Sequence, residues 1–471
     1  MSRQLFLHKD RLFSSDVSQR DIARRLFHEV ENLPIISPHG HTDPQWFAEN
    51  NNFSNAAELL VQPDHYVFRM LYSQGITLDQ LGIPRADGTV SEASPRDVWK
   101  LFAEHFYLFR GTPSAYWLNY VFSNIFGFTE YLCADNADEY FDMINSMLGA
   151  EEFKPRSLFE RHNIELLATT ESPLDSLEHH QTILSSGWGG RVITAFRPDP
   201  VVDPEFEGFA DNIRALGELT NIDCSSYQGY LQALRQRREF FSSMGATSTD
   251  HGHPTARTAD LSFAEADALF LRVNSDSVSA EDAELFRAQM LTEMAAMSLE
   301  DGLVMQIHPG SYRNHNKFLF ANFGRDRGAD IPMSTSYVDA LKPLLDKFGN
   351  DPRLSIILFT LDETVYSREL GPLVGHYPVL KLGPAWWFHD SPEGMMRIRK
   401  ATHEVAGFYN MVGFNDDTRA FLSIPARHDM ARRIDCAHLA ELVATHRLEE
   451  DVAAEIATDL AYNLAKKAYK V

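Results

Sequence analysis

Cysteine is scarce in this sequence. Cys133, Cys224 and Cys436 are odd in number and widely spaced. They make neither a disulfide framework nor a Cys-x-x-Cys metal site, which fits a reducing compartment. Positive charge is also in deficit: 43 Lys and Arg stand against 66 Asp and Glu, a net charge of −23. That balance argues against nucleic acid, whose phosphates need clustered Lys and Arg, and against an anionic membrane surface. No stretch of 18 apolar residues occurs, and the opening MSRQLFLHKDRLFSS has no apolar signal core. A cytoplasmic location is therefore expected. Internal repeats, low-complexity tracts and Gly/Ser linkers are missing as well. So is the Gly-rich phosphate turn that follows the first strand of a doubly wound nucleotide fold; SPHGHTDP stands there instead.

What is present is a series of short apolar runs separated by helical stretches. The runs are PIIS (34–37), IELLATT (164–170), RVITAF (191–196), ATST (246–249), LVMQIH (303–308), LSIILFT (354–360), VLKLGPA (379–385) and MVGF (411–414). Continuous apolar runs suit strands buried on both faces of a parallel sheet. Helix periodicity between them, as in GYLQALRQRREFFSSM and AELFRAQMLTEMAAMSLEDG, makes βα units. Eight such units, with the fourth and seventh runs the weakest strand signals, predict an α/β fold of the (β/α)8 TIM-barrel kind. The spacing is uneven. Residues 1–45 hold an N-terminal segment and the first strand. Residues 46–160 are too long for one crossover and read as a helical insertion after strand 1. Residues 161–471 supply the remainder of the barrel and an amphipathic C-terminal helix, the whole forming a single structural unit. A second helical excursion lies at 201–245.

In such a barrel the working side chains stand at the C-terminal ends of strands. The first run is followed by His39-Gly40-His41, two imidazoles at i and i+2 that project to one side and suit a zinc-like cation. The eighth is followed by Asn415-Asp416-Asp417-Thr418-Arg419. One aspartate there can complete a His-His-Asp site while the other caps the next helix. A second pair, His251-Gly252-His253 behind Asp250, lies in a Thr/Gly/Pro-rich loop and is expected to be surface histidine. His308 ends the fifth run, and Arg197, Arg313 and Arg419 follow strand ends. A guanidinium at a barrel mouth matches a carboxylate, either a ligand's or an acidic neighbour's. Trp386 opens an aromatic cluster after the seventh run, suited to a sugar face or to packing.

The ordered set PHGHTDP, DHYVFRML, TTESPLDSLEHH, FRPDP, QIHPGSYRNHN, WWFHD and DDTRAFLSIPARHDMARR resembles the uronate isomerases, a divergent branch of the metal-dependent amidohydrolase superfamily. The resemblance covers nearly the whole chain. It implies His39, His41 and Asp417 as metal ligands, with Asp416 left as a helix-start residue. It puts His65 and Tyr66 at the sugar, and Arg197, Asp250, His308, Arg313, Arg419 and Trp386 around the pocket. His253 departs from the family pattern, so that pair is read as non-metal. Two-metal relatives carry a bridging Lys or Glu after the fourth strand and a His after the sixth. Here Thr249-Asp250 and Thr360-Leu361-Asp362 stand at those places. One divalent metal, zinc by expectation, or weak metal dependence is implied.

The implied reaction interconverts D-glucuronate with D-fructuronate and D-galacturonate with D-tagaturonate through an enediol. Asp417 and Tyr66 are the expected proton carriers, supported by His65, with Asp250 and His308 beside them. The expected partner is a small hexuronate, with no nucleic acid, no membrane, and room for a homo-oligomer. A mononuclear zinc hydrolase uses the same ligand set and is the alternative; a non-catalytic sugar-acid sensor is the third reading.

Overall fold

The computed structural model describes residues 3–275 and 278–471. The first five apolar runs become β1 (Ile35–Ser37), β2 (Ile164–Glu171), β3 (Arg191–Phe196), β4 (Ser248–His251) and β5 (Val304–Ile307). A short antiparallel pair follows, β6 (Ser311–Tyr312) and β7 (Ile331–Pro332). The sixth and seventh runs become β8 (Ile356–Leu358) and β9 (Leu380–Leu382). The main sheet is parallel, in the order β1-β2-β3-β4-β5-β8-β9. Its central strands are buried on both faces, as their unbroken apolar pattern dictates.

The eighth run does not become a strand. Met411 makes one parallel bridge to Leu382, and the Val412 N–H donates to the Leu382 carbonyl at 3.1 Å. Gly413 explains why pairing stops there. Its φ is +80°, outside the extended range, and a Cβ on it would lie 2.7 Å from the Leu460 carbonyl oxygen. A few residues on, the Thr418 carbonyl accepts the His41 N–H at 3.1 Å. Both edge strands of the seven-stranded sheet thus lead to one connecting segment, and the sheet curls around.

The inside of the curl is filled by the C-terminal helices. Ala465 packs with Ile36, Leu166, Ala168 and Ile193, and Tyr469 with Val304, Ile357, Phe359 and Val412. The buried Tyr469 hydroxyl donates to Gln306 Oε1 at 2.9 Å and accepts from Asn415 Nδ2 at 3.2 Å. The expected single C-terminal helix is two, Glu450–Thr458 and Leu464–Tyr469, joined by a π turn.

Between β1 and β2 the chain forms a run of short helices, among them His65–Tyr72, Pro95–Glu104, Pro113–Tyr120 and Ala137–Leu148. Asp64, Ser94 and Thr112 each accept a backbone N–H of the first turn, and proline sits at the start of two of these helices. Their apolar faces meet in an aromatic core that includes Trp99, Phe102, Phe122, Tyr140 and Phe141. The excursion at 201–245 forms Phe209–Thr220 and Tyr227–Ser243. No described helix is long and apolar enough to cross a membrane.

One buried cation ties the inserted helices to the sheet body. Arg427, on the long helix Ile424–Ala444, is fully buried. It pairs with Asp390, also buried, and its guanidinium lies 3.5 Å from the Trp117 ring centroid. Arg427→Met would leave the Asp390 carboxylate buried and alone, which typically costs about 3–5 kcal/mol. A lower urea midpoint is expected, partly recovered when Asp390→Leu is added. Equal midpoints for the parent and Arg427→Met would show that this tie contributes nothing.

Candidate active site

The sheet's C-terminal ends and the helix His65–Tyr72 enclose a pocket of about 720 Å³, solvent at its mouth included. Every residue that the sequence singled out for the site lines it: His39, His41, His65, Tyr66, Arg197, Asp250, His308, Arg313, Trp386, Asp417 and Arg419.

The floor begins with His39 and His41, which leave β1 on the same side. Their Nε2 atoms lie 3.5 and 3.2 Å from Asp417 Oδ1. Asp417 Oδ2 accepts the Trp386 indole N–H at 2.6 Å. The Asp417 backbone sits at φ +39°, a sparsely populated conformation for a residue with a side chain. It is held there between the eighth run and the Thr418 carbonyl bound to His41. Burial would raise the Asp417 carboxyl, but His39 and His41 hold it well below the usual carboxylate range.

Beside this set lies a buried chain of charge. His308 Nδ1 is 2.7 Å from Asp250 Oδ1, and Arg197 Nη1 is 3.2 Å from Asp250 Oδ2. A carboxylate only accepts, so His308 carries its proton on Nδ1 and leaves Nε2 as an acceptor. That Nε2 is buried with no partner among the described residues. Burial pushes the His308 imidazole down, with Asp250 opposing. Its ring stacks between His39 at 4.8 Å and Phe359 at 3.8 Å. β4 extends past the apolar run to take in Asp250 and His251, so Asp250 projects from the strand itself.

The roof is the start of the helix His65–Tyr72, capped by Asp64, which accepts the Tyr66 N–H at 2.8 Å. Burial, with Arg419 adding to it, pushes His65 down to about 3, and burial raises Tyr66 well above the ordinary phenol. Both are neutral at physiological pH. The Tyr66 ring meets Trp117 edge-on at 5.6 Å and lies 5.3 Å from the Arg427 guanidinium.

Each of the three arginines has an acidic partner. Arg197 binds Asp199 at 2.9 Å as well as Asp250, Arg313 binds Asp330 at 2.9 Å, and Arg419 binds Asp326 at 3.0 Å. Asp326 and Asp330 belong to the excursion bracketed by β6 and β7, and sequence reasoning missed both. The Gly-flanked, charge-dense GRDRGAD (324–330) was the available signal. Trp387, the next residue of the aromatic cluster, lies 5.5 Å from both His65 and the Arg313 guanidinium.

Two expectations are corrected. Asp416 does not start a helix; it is 1% exposed and pairs with His428 at 3.1 Å. The long helix begins only at Ile424, after a 3-10 turn at Phe421–Ser423, so Asp416 is spent in packing. His251 and His253 are not surface residues. Both are buried, with His251 Nε2 2.9 Å from Thr249 Oγ1.

Two groups of potential metal ligands occur among the described residues: His39, His41 and Asp417, and His39, Asp250 and His308. In each, the donor atoms lie within 4.8 Å of one another. Two imidazoles with one carboxylate suit a zinc-class cation and leave positions open for a ligand. The residues present therefore fit a resident divalent ion, with the first group matching the HxH-plus-Asp expectation. His251 and His253 join neither group.

The chain is similar to known proteins over nearly its whole length. The profile of the glucuronate isomerase family matches residues 6–469. A uronate isomerase from Sphingopyxis alaskensis is 66% identical over 475 residues, all of both chains. The crystal structure of a glucuronate isomerase from Caulobacter crescentus is 64% identical, with a TM-score of 0.98 over 99% of this chain and 98% of that one. A uronate isomerase structure from Thermotoga maritima, 27% identical, still superposes with a TM-score of 0.91 over 98% and 99% of the two chains. With its fold and nearly its full length matched in this way, the chain belongs to the glucuronate isomerase family.

Proposed function

We propose that this pocket carries out the family's aldose–ketose isomerisation of a hexuronate by holding the substrate carboxylate on arginine and moving a proton between C2 and C1 beside Asp417. The supporting observation is that one small cavity brings a His-His-Asp set together with three guanidiniums. D-glucuronate and D-galacturonate are the proposed aldoses. The hydrolase alternative draws on the same ligand set but gains nothing from the relatives compared, which are named uronate isomerases.

The residues divide by protonation state. Asp417 is ionised and can only accept, so it is the proposed acceptor for the C2 proton and its donor back to C1. Tyr66 remains a phenol and keeps its O–H to donate, which suits an oxygen that gains charge as the enediol forms. The open Nε2 of His308, steadied by Asp250 and Arg197, can take the hydroxyl proton that must also move between O2 and O1. Neutral His65 borders the sugar, and the Trp386 N–H fixes the Asp417 carboxylate. His39, His41 and Asp417 would hold one divalent ion, proposed to be zinc, which when bound acts as a Lewis acid toward the sugar oxygens. We further propose that the 411–418 segment stands in for an eighth strand of a TIM-type barrel, with 1–45 and 161–471 as the barrel and 46–160 as its insertion.

NMR of D-glucuronate with the protein in D2O tests the reaction, because it reports turnover and exchange at C2 together. Asp417→Asn should lose turnover by orders of magnitude while circular dichroism is unchanged. Asp416→Asn should retain turnover and lose thermal stability, since it weakens only the buried contact to His428. The reverse pattern would reassign the carboxylate.

Arg197→Met, Arg313→Met and Arg419→Met should each raise the barrier to kcat/KM by about 2–5 kcal/mol, because a charge loses its partner. The uncharged aldose should be a poor substrate. Comparable kcat/KM for glucose and glucuronate would remove the arginine assignment.

Chelation should lower activity without changing far-UV circular dichroism or melting cooperativity, because a chain this long does not need a metal for its core. Metal analysis should give at most one tightly held divalent ion per chain. Two ions, or global unfolding on chelation, would refute the mononuclear catalytic site.

A further inference from the structure

The arginines proposed to receive the substrate carboxylate are already matched. Three guanidiniums, Arg197, Arg313 and Arg419, face four carboxylates, Asp199, Asp250, Asp326 and Asp330. A hexuronate adds another negative charge, and no spare cation awaits it among these groups. Either the incoming carboxylate enters an already negative cluster or one aspartate gives way.

The structure distinguishes one of the four. The side chains of Asp250, Asp330 and Asp199 are 1%, 5% and 11% exposed, and each is fixed by further contacts: to His308, to the Asn314 N–H, and to the Gly252 N–H. Asp326 is 50% exposed and, among the described residues, binds Arg419 alone, at 3.0 Å. Its backbone lies at φ +59°, between Gly324 at +80° and Gly328 at +67°. These three positive-φ residues lie in the loop that joins the helix Lys317–Phe323 to β7. Desolvation would raise the Asp326 carboxyl, but Arg419, Arg313 and Arg197 together hold it well below the usual range. It therefore feels all three guanidiniums although it bonds to one.

Asp326 also stands at a boundary. It lines the reaction pocket and a neighbouring cleft of about 1310 Å³, open solvent included, that extends toward Asp43, Ser172, Phe206 and Arg325. The two cavities share Arg197, Arg313 and Arg419. A sugar acid crossing from one to the other passes this carboxylate.

We propose that Asp326 is a specificity-determining residue that occupies the place of the substrate carboxylate in the free enzyme and is exchanged for it when a hexuronate binds. The exchange keeps the charge of the arginine cluster constant, which is why an anionic sugar can enter an acidic site. An uncharged sugar offers nothing to replace Asp326 and leaves it in place. This inference rests on the arginines being the carboxylate receptor.

The test is Asp326→Asn, which keeps the shape and suits a left-handed backbone, where Asn is well tolerated. If Asp326 occupies the arginines about 90% of the time, removing its charge strengthens apparent binding of the anion about tenfold. The KM for D-glucuronate should fall about tenfold. The inhibition constant of D-glucarate, which carries the same C6 carboxylate but no aldehyde, should fall in parallel. Asp326→Ser should shift both constants the same way, which guards against an effect peculiar to Asn. A merely structural role moves them upward or not at all. Constants that rise or stay level, or a fall in KM without tighter D-glucarate binding, overturn the exchange. If Arg419→Met still weakens both ligands in that case, the arginine receptor stands and only the exchange is lost. If Arg419→Met changes neither, the receptor itself was wrongly placed.

Discussion

The site depends on how the two edges of a curled sheet are joined. A ladder of strand hydrogen bonds does not join them. The connection is one bridge, Leu382 to Met411, and one bond from the His41 N–H to the Thr418 carbonyl. Between these points lies Gly413 in a left-handed conformation, and Asp417 follows at φ +39°. A regular eighth strand would send alternate side chains to opposite faces at fixed intervals. The irregular segment carries the Asp417 carboxylate to His39 and His41 and the Asp416 carboxylate away to His428. Two adjacent aspartates thereby acquire different work. Strain of this kind persists only where its surroundings over-determine it. Here the Trp386 indole, the bond to His41 and the bridge to β9 do so.

Outward from that seam, support comes from buried charge. Asp250 is shared by His308 and Arg197, and Asp390 by the fully buried Arg427. Arg427 in turn touches both Trp117 and Tyr66. The roof residue Tyr66 is thus located by packing that begins in the helix following Asp417, although it lies some 350 residues earlier in the chain.

Much of this was legible in the sequence, and what was not has identifiable causes. The β2, β3, β5, β8 and β9 runs are continuous apolar stretches, and burial on both faces leaves that trace. His39-Gly40-His41 could be read because i and i+2 residues leaving a strand share a side. Tyr66 and His65 could not be placed by periodicity, since only tertiary packing carries them from the inserted helices over the sheet; the family resemblance located them. MVGF looked like a strand because composition does not reveal φ at Gly413. His251 and His253 looked exposed because their loop is polar, yet both are buried. Asp326 and Asp330 were missed because carboxylates in a charged loop look like solvated surface until the arginines they face are known.

The acidic body with an arginine-lined mouth also bears on how substrate arrives. At physiological ionic strength charges are felt over about 8 Å. A hexuronate approaching a chain of net charge −23 therefore meets repulsion first and attraction only at the threshold. Steering fields that accelerate encounter in other enzymes act against this one at long range. Added salt suppresses the outer repulsion more than the contact within the pocket, where solvent ions are largely excluded. The encounter rate of such a protein rises with ionic strength, opposite to the behaviour of an enzyme whose whole surface attracts its substrate.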